Sequence, residues 1–316
     1  MKQELPTPTL FDEVSSYWAE IAEADATEKQ VAFVKSHVKA EGLVLDLACG
    51  SGRHAVSLCE AGYEIVGLDV SSRLLKIARA KSAKASAGLA LVRADMRFLP
   101  FRSAVFLAVL SLDSSFGYLP SETEDLKSFT GAAIGLSENG VFLVDVFNRD
   151  RILKRYGKRA FFACFQFGLV KRFPLFARLI KWREYPSFWL LQKRSANAET
   201  GLLRDFWVFR DKKTGKISVV KHVIRLYTFS QLHTLLKNAG FGCFKAYGNY
   251  EGQVYKTDSN RLILVSRKTG TLAPLKSSPN IFGKTKMHKP ALITDASILE
   301  QAVSLHRDLA ESHLRR

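Results

Sequence analysis

An apolar run that ends in two glycines is the feature that most constrains how this chain of 316 residues folds. Residues 43–54 read LVLDLACGSGRH, so a short apolar stretch leads to Gly50 and Gly52, and a helical pattern starts at His54. This order predicts a strand, a tight turn and the first turn of a helix. Glycine lets the backbone approach a ligand closely, and the first helical turn has free N–H donors. The segment is therefore expected to bind a nucleotide-like cofactor.

Two classes of cofactor fit this turn. Gly50, Gly52 and Ala55 match the dinucleotide fingerprint, in which a pyrophosphate rests on the helix N-terminus and an acid about 20 residues further on binds a ribose. Asp46, however, stands four residues before the first glycine. Its carboxylate would repel a pyrophosphate and would suit a cationic amino group, so it favours a cofactor with a positively charged end.

Two more aspartates follow predicted strands. Asp69 ends the apolar run EIVGLD at residues 64–69, and Asp95 comes shortly after the run at 89–92. A carboxylate at a strand end can accept hydrogen bonds from both ribose hydroxyls. Each aspartate alone is also explained as a helix cap, but three acids at three successive strand ends favour one shared ligand.

The string LDLACGSG resembles motif I of class I S-adenosylmethionine-dependent methyltransferases, with Ala48 in place of the first glycine. The resemblance implies S-adenosylmethionine as cofactor, with Asp46 at its amino end, Asp69 on its ribose and Asp95 on its adenine amino group. No metal is implied. The cofactor-binding residues expected from the resemblance are Asp46, Ala48, Gly50, Gly52, Arg53, Asp69, Val70, Asp95, Met96 and Leu112.

Strand and helix patterns alternate regularly through the first half of the chain. Helices are expected at 53–61, 71–87, 122–136 and 230–240, and strands at 104–112, 141–147, 241–247 and 261–267. The last two strands resemble the pair that ends class I methyltransferases. The expected fold is α/β: a Rossmann-like, seven-stranded, mostly parallel sheet with an antiparallel last strand, helices on both faces and an inserted α+β lid.

Five regions are expected along the chain. Their order is a pair of N-terminal helices that cover the cofactor, the Rossmann-like core, a basic and aromatic lid with a β-hairpin, a C-terminal core helix with the last strand pair, and a linker with a terminal helix. The corresponding residues are 1–40, 41–150, 151–227, 228–268 and 269–316.

The formal charge of +17 is unevenly distributed. Residues 1–150 carry 15 basic and 20 acidic side chains, whereas residues 151–194 carry 12 basic side chains and a single acid, Glu184. Apolar residues 169, 173, 176 and 180 recur at helical spacing, and Pro174 predicts that a helix begins there. This basic amphipathic segment fits a lid over the pocket, a membrane-surface helix or an RNA-binding surface.

The string DSSFGY at residues 113–118 follows an almost wholly apolar strand and is expected to face the transferred methyl group, because ligands of open α/β sheets lie beyond the carboxyl ends of the strands. Asp113 is the candidate base, and Tyr118 the candidate aromatic contact to the sulfonium. The Asn-Pro-Pro-Tyr signature of nucleic-acid amine methylation is absent here. Further candidate substrate contacts are Tyr17, Phe116, Asn148 and Tyr227.

The sequence as a whole favours a cytoplasmic enzyme that methylates nitrogen or oxygen of a small, anionic molecule. The four cysteines are scattered, which excludes a zinc or disulfide framework, and no run approaches about 18 apolar residues. Two alternatives stay open: a methyltransferase of RNA or membrane lipid that uses residues 151–194, with peripheral membrane attachment, and a non-catalytic binding module. The acceptor and the oligomeric state are not readable.

Overall fold

The computed structural model of the protein describes residues 10–24, 27–156 and 180–269. These residues form a seven-stranded sheet and a separate four-stranded sheet. Most of the basic amphipathic segment, residues 157–179, and nearly all of the expected linker and terminal helix lie outside the described residues.

The larger sheet has the strand order β10-β11-β5-β4-β1-β2-β3. β11 pairs antiparallel with both β10 and β5, and the other pairings are parallel. The expected Rossmann-like, mostly parallel sheet, in which the last strand of the described chain is antiparallel, is thereby confirmed; this strand, β11, lies between β10 and β5. Its strands are β1 (Leu43–Leu47), β2 (Glu64–Asp69), β3 (Ala90–Arg93), β4 (Phe106–Ser111), β5 (Leu136–Phe147), β10 (Phe241–Tyr247) and β11 (Arg261–Lys268).

Eight helices occur in the described ranges, and they cover both faces of this sheet. Successive residues of β1 serve opposite faces, since Val44 packs in one apolar core and Leu45 in the other. A strand buried on both faces explains why the sequence of β1 is almost wholly apolar. The helices are α1 (Leu10–Glu13), α2 (Ser15–Glu23), α3 (Thr27–His37), α4 (Arg53–Glu60), α5 (Ser72–Lys84), α6 (Glu122–Gly135), α7 (Arg149–Tyr156) and α8 (Phe229–Asn238).

The smaller sheet is antiparallel and has the order β6-β7-β8-β9. Of these four strands, only the last two were expected, as a hairpin. The helix expected to begin at Pro174 was predicted to include Ile180, and this is wrong, because Ile180 begins a strand that pairs with β7. The covering role expected for residues 151–227 stays a prediction. The strands are β6 (Ile180–Glu184), β7 (Phe188–Asn197), β8 (Leu202–Asp211) and β9 (Ile217–Arg225).

The first two helices contact both sheets. In α1, Asp12 accepts hydrogen bonds from the Ser71 hydroxyl (2.6 Å) and the Arg73 N–H (3.1 Å) at the start of α5. In α2, Tyr17 stacks on Phe209 of β8 with ring centroids 5.0 Å apart. Residues 10–24 and 27–37 thus form three helices before β1 rather than the two expected, and the first two bridge the sheets.

No helix within the described ranges combines the length and the apolar character needed to span a bilayer.

Candidate active site

A cavity of about 1140 Å³ lies beyond the carboxyl ends of β1 to β4. Helices α1 and α2 and the smaller sheet complete its walls. Single-ligand pockets usually measure about 300–1,000 Å³, so this cavity has room for a cofactor together with a small acceptor. Of the ten predicted cofactor contacts, nine line it: Asp46, Ala48, Gly50, Arg53, Asp69, Val70, Asp95, Met96 and Leu112.

The turn after β1 has the geometry that its glycines imply. Gly52 has φ +75°, and a Cβ added there would lie 2.9 Å from Cβ of Ala78 in α5. Gly52 thus allows close packing between helices and does not line the cavity, and its contact with the cofactor stays a prediction. Ala48 also has a positive φ, of 62°, which costs a non-glycine residue strain and commonly marks a functional site.

Asp46 is a buried acid whose side chain lacks a full set of partners. It is 1% exposed, lines the cavity, and its Oδ2 accepts no hydrogen bond from the described residues. Burial, together with the nearby Asp69 carboxylate, raises the pKa of Asp46 to about 7, although Arg53 acts in the opposite direction. A cationic group bound beside it would stabilise the ionised form, so this site fits the amino end of S-adenosylmethionine.

Asp69 is positioned by backbone donors from two loops. Its Oδ2 accepts from the Gly50 N–H at 2.9 Å and its Oδ1 from the Ser71 N–H at 2.8 Å. Burial raises its pKa even though these bonds oppose the shift. Each carboxylate oxygen has a further lone pair, so two ribose hydroxyls can still bind.

Asp95 is held by Arg97 rather than free. The Arg97 guanidinium donates to both Asp95 oxygens at 2.6 to 3.1 Å and also binds Glu124 at 2.7 Å. Burial would raise the pKa of Asp95, but the hydrogen bonds from Arg97 lower it overall. An adenine amino group must therefore share this carboxylate with Arg97.

Asp113 is tied to the cofactor turn by an ion pair. Its Oδ2 accepts from the Arg53 guanidinium at 3.0 Å, and Arg53 also donates to Thr27 at 3.0 Å. Arg53 is thereby a link between α4, α3 and the loop after β4. The carboxylate expected to act as a base is engaged in this structural contact.

The loop after β4 is held in an unusual conformation. Asp113 and Ser114 both have positive φ, 57° and 63°. The fully buried Asp145 accepts from the Asp113 N–H at 3.0 Å, from Tyr250 at 2.5 Å and from Arg261. These contacts stabilise a backbone that non-glycine residues rarely adopt.

The same loop is fixed to the smaller sheet by Gly117. Its carbonyl accepts from the Arg225 N–H at 2.8 Å, and a Cβ added at Gly117 would lie 2.3 Å from the Arg225 carbonyl oxygen. Only glycine tolerates this approach. The loop therefore connects the tip of β4 to the end of β9.

Aromatic rings form one side of the cavity. Phe11 contacts Trp18 and Tyr118 edge to face, with centroids 5.0 and 5.3 Å apart, and all three line the cavity. Burial raises the pKa of Tyr118, so its phenol stays neutral. Such rings can face a sulfonium or an amine cation.

The four candidate substrate contacts do not line the cavity. Phe116 is 1% exposed and stacks on Phe129, while Tyr227 donates to the buried Asp125 at 2.5 Å. Asn148 donates to the carbonyls of residues 257 and 259, and Tyr17 packs on the smaller sheet. Their contact with substrate stays a prediction, and the packing of these side chains does not favour it, because closeness to a strand end or a cavity-lining neighbour does not decide which way a side chain points.

Several lining residues were missed because they belong to the smaller sheet. They alternate with apolar residues along β7 to β9, a pattern that any half-buried strand shows. Their only sequence signal is the presence of charged residues inside otherwise apolar strands. They are Lys193, Ser195, Arg204, Asp205, Lys221 and His222.

Known proteins resemble the chain at three levels. Residues 44–133 match the family model described as a methyltransferase domain. A putative methyltransferase, YqeM of Bacillus subtilis (strain 168), is 23% identical over 84% of this chain and 96% of its own length. A glycine/sarcosine N-methyltransferase of Parasynechococcus marenigrum (strain WH8102) is 34% identical over 35% of this chain, and the match spans only 40% of that protein.

A solved structure shares the fold. An S-adenosylmethionine-dependent methyltransferase from Clostridium acetobutylicum ATCC 824 superposes with a TM-score of 0.65 at 17% identity, over 82% of this chain and 99% of that one. With the strand order and the matched methyltransferase domain, this chain is a class I S-adenosylmethionine-dependent methyltransferase. It is an enzyme, which removes the alternative of a non-catalytic binding module.

Proposed function

We propose that the protein transfers a methyl group from S-adenosylmethionine to a nitrogen of a small molecule that carries an anionic group. The observation that carries this proposal is a single cavity that joins the acidic strand tips to the wall formed by the smaller sheet. The proposal extends to the binding roles of Asp46, Asp69 and Asp95 described by the resemblance.

The chemistry at the site favours nitrogen over oxygen. S-adenosylmethionine supplies a methyl group on a positively charged sulfur, open to attack by a lone pair. A hydroxyl needs a base to make it nucleophilic, whereas an amine needs only to arrive unprotonated. Asp113, the expected base, is paired with Arg53. The glycine/sarcosine N-methyltransferase resembled by part of the chain is in keeping with an amine acceptor.

Orientation is the main contribution expected from the chain. Displacement at the methyl group requires the nitrogen lone pair to lie in line with the bond that breaks, so positioning supplies much of the rate. Trp18 and Tyr118 line the same side of the cavity, on either side of Phe11. Their rings exclude water and can stabilise positive charge on either reactant.

Basic residues of the smaller sheet support an anionic acceptor. Lys193 and Lys221 flank Phe206 across neighbouring strands, and Arg204 lies on the same face. All of them border the cavity, on the face of the smaller sheet opposite to Asp205 and His222, because neighbouring residues of a strand point to opposite faces. None of these three cations forms an ion pair with another described residue. An acceptor carboxylate or phosphate would neutralise them.

Paired substrates provide the test. Purified enzyme is incubated with S-adenosylmethionine and glycine or sarcosine, each alongside its uncharged amide, and S-adenosylhomocysteine formation is measured. We expect methylation of an anionic amine with a KM roughly tenfold below that of its amide, the value of one charge-assisted contact. Lys221→Gln should erase most of that difference. The control Lys216→Gln changes an exposed lysine in the turn before β9 and should leave it intact.

Three outcomes would contradict the proposal. Transfer to hydroxyl compounds alone would exclude nitrogen as the acceptor atom. Equal KM values for acid and amide would exclude the anionic group. Turnover of RNA or lipid vesicles in place of small amines would return the choice to the alternatives based on residues 151–194.

A further inference from the structure

A group of buried polar side chains lies within the smaller sheet, on the face that meets α2. Asp205 of β8 accepts at Oδ2 from Arg194 (2.7 Å) and from Gln192 (3.1 Å), both on β7. His222 of β9 places its Nε2 3.8 Å from the same oxygen. The three strands thus bring a carboxylate and an imidazole together at one place.

This group is incompletely satisfied. Asp205 is 2% exposed and His222 is 5% exposed. Both ring nitrogens of His222 have no hydrogen-bond partner among the described residues, and Oδ1 of Asp205 has none within hydrogen-bond distance. Burial raises the pKa of Asp205, and the side chains of Arg194, Trp207 and Gln192 oppose the rise, so the indole N–H of Trp207 is the nearest further donor to this carboxylate. Buried polar atoms in folded proteins nearly always have partners. Two adjacent side chains with three unpartnered atoms therefore indicate a place where a ligand supplies the missing bonds.

This group borders the active-site cavity. Asp205 and His222 both line it. The His222 ring lies 5.8 Å from the ring of Tyr118, in the loop after β4, and 5.1 Å from that of Trp207. Trp207 in turn stacks on Trp18 of α2 at 5.1 Å. His222 and Asp205 thus stand beside the aromatic wall that faces the cofactor turn.

The charges around His222 keep its ring neutral. Burial and the Arg194 guanidinium lower the pKa of His222 to about 3. A neutral imidazole has one N–H donor and one bare nitrogen acceptor. Asp205 faces Arg194, which balances its charge, so the pair presents two hydrogen-bond acceptors with little net charge.

We propose that His222 and Asp205 bind the acceptor nitrogen and make the enzyme selective for primary amines, an inference that rests on the proposed N-methylation. An unprotonated primary amine has two N–H donors and one lone pair. The bare nitrogen of His222 and Oδ1 of Asp205 accept the two N–H bonds. The lone pair is then left free to attack the methyl group: the N–C bond forms as the bond between methyl carbon and sulfur breaks, and the sulfur leaves as the neutral thioether of S-adenosylhomocysteine. The product is a methylated ammonium that keeps both N–H bonds and loses one proton to solvent after release. A secondary amine fills only one of the two acceptors, and a tertiary amine fills neither.

Substitutions that preserve shape test this assignment with glycine and sarcosine as probes. His222→Phe keeps a ring beside Trp207 and Tyr118 but removes the acceptor, and Asp205→Asn keeps the shape but changes the charge. We expect each to raise the KM for glycine roughly tenfold, the value of one lost buried hydrogen bond, while S-adenosylhomocysteine affinity measured by calorimetry stays unchanged. His222→Gln retains an acceptor and should restore part of the loss.

The matched control is His233→Phe. His233 stacks on Phe229 in α8 and does not line the cavity, so its replacement should leave both KM values as in the wild type. A second readout is independent of turnover. In protein labelled with ¹⁵N-histidine, the His222 ring signals should be those of a neutral imidazole at neutral pH and should move when glycine is added to the S-adenosylhomocysteine complex.

The possible results separate this inference from the proposed function. Wild-type enzyme that methylates no amine would overturn both. Amine methylation with an unchanged KM in folded His222→Phe and His222→Gln would overturn only the role of His222 and Asp205. Sarcosine turned over as efficiently as glycine would overturn the selectivity for primary amines.

Discussion

The two ends of the active-site cavity are built in different ways. At the cofactor end, Asp46, Asp69 and Asp95 follow one another at the tips of parallel strands, each within or just after its strand. At the acceptor end, Asp205 and His222 come from inside antiparallel strands of a second sheet. A parallel sheet collects successive strand ends at one edge, whereas an antiparallel wall recruits residues from mid-strand positions.

This difference determines what a change at each end does. Acids at the cofactor end are held by backbone N–H groups and by arginines, as at Asp69 and Asp95. Polar groups at the acceptor end retain atoms without partners. Asp46 shares this feature at the cofactor end, where its Oδ2 has no partner among the described residues. Asp69 and Asp95 are therefore positioned before any ligand binds, whereas we propose that Asp46, Asp205 and His222 gain their missing partners from the two substrates.

The largest expected effect is on the free energy of unfolding, and it distinguishes a residue of the core from a residue of the cavity wall. Phe116 is buried against Phe129, whereas Tyr118, two residues away, lines the cavity. Phe116→Ala should lower the free energy of unfolding by about 3–5 kcal/mol because it empties a packed site. Tyr118→Phe should change it by less than about 1 kcal/mol. Urea denaturation of both variants measures this, and equal stabilities would place Phe116 outside the core.

A smaller effect is expected on cofactor affinity when an acid at the cofactor end is removed. Asp69→Ala removes a charged acceptor of two ribose hydroxyls and should weaken S-adenosylmethionine binding by about 1.5–3 kcal/mol. Calorimetry with the wild type and with Asp258→Ala, an exposed aspartate, provides the comparison. Undiminished affinity in Asp69→Ala, or a wild type that prefers NAD, would contradict the assigned cofactor geometry.

The smallest expected effect is a dependence of cofactor affinity on pH. Because the pKa of Asp46 is raised to about 7, the empty site holds a proton there below that pH. A cationic ligand favours the ionised form, so its affinity should rise between about pH 6 and 8 and then level off, by no more than tenfold per pH unit. Asp46→Asn should flatten this rise. Calorimetry in buffers of different ionisation enthalpy would detect the released proton, and a flat wild-type profile would exclude Asp46 as its source.

The larger sheet could be predicted from the sequence because the residue patterns that indicate its strands and turns are local. Residues 43–54 contain the strand, the turn and the helix start as one uninterrupted string, and the reversed β11 follows from the order of the last two strand patterns. The cavity contacts near Asp46 and Asp69 were predictable for the same reason. The packing role of Gly52 could not be predicted, because its contact with Ala78 depends on how α4 packs on α5.

The residues that line the cavity at the proposed acceptor end could not be predicted from local sequence patterns. Side chains of Tyr17 and Trp18 are adjacent in sequence, yet only Trp18 reaches the cavity. Asp205 and His222 are 17 positions apart and meet only through the register of β8 with β9. Register is fixed by pairing across the whole sheet, which a single sequence does not reveal.

The bridging position of the first two helices has a consequence for how the two substrates influence each other. α1 is fastened beside Asp69 through Asp12, and α2 is stacked on the smaller sheet through Tyr17. Cofactor binding that steadies α1 should therefore also steady the acceptor wall. Since such coupling is reciprocal, an acceptor should bind more tightly after the cofactor, and the cofactor should leave more slowly while the acceptor is present.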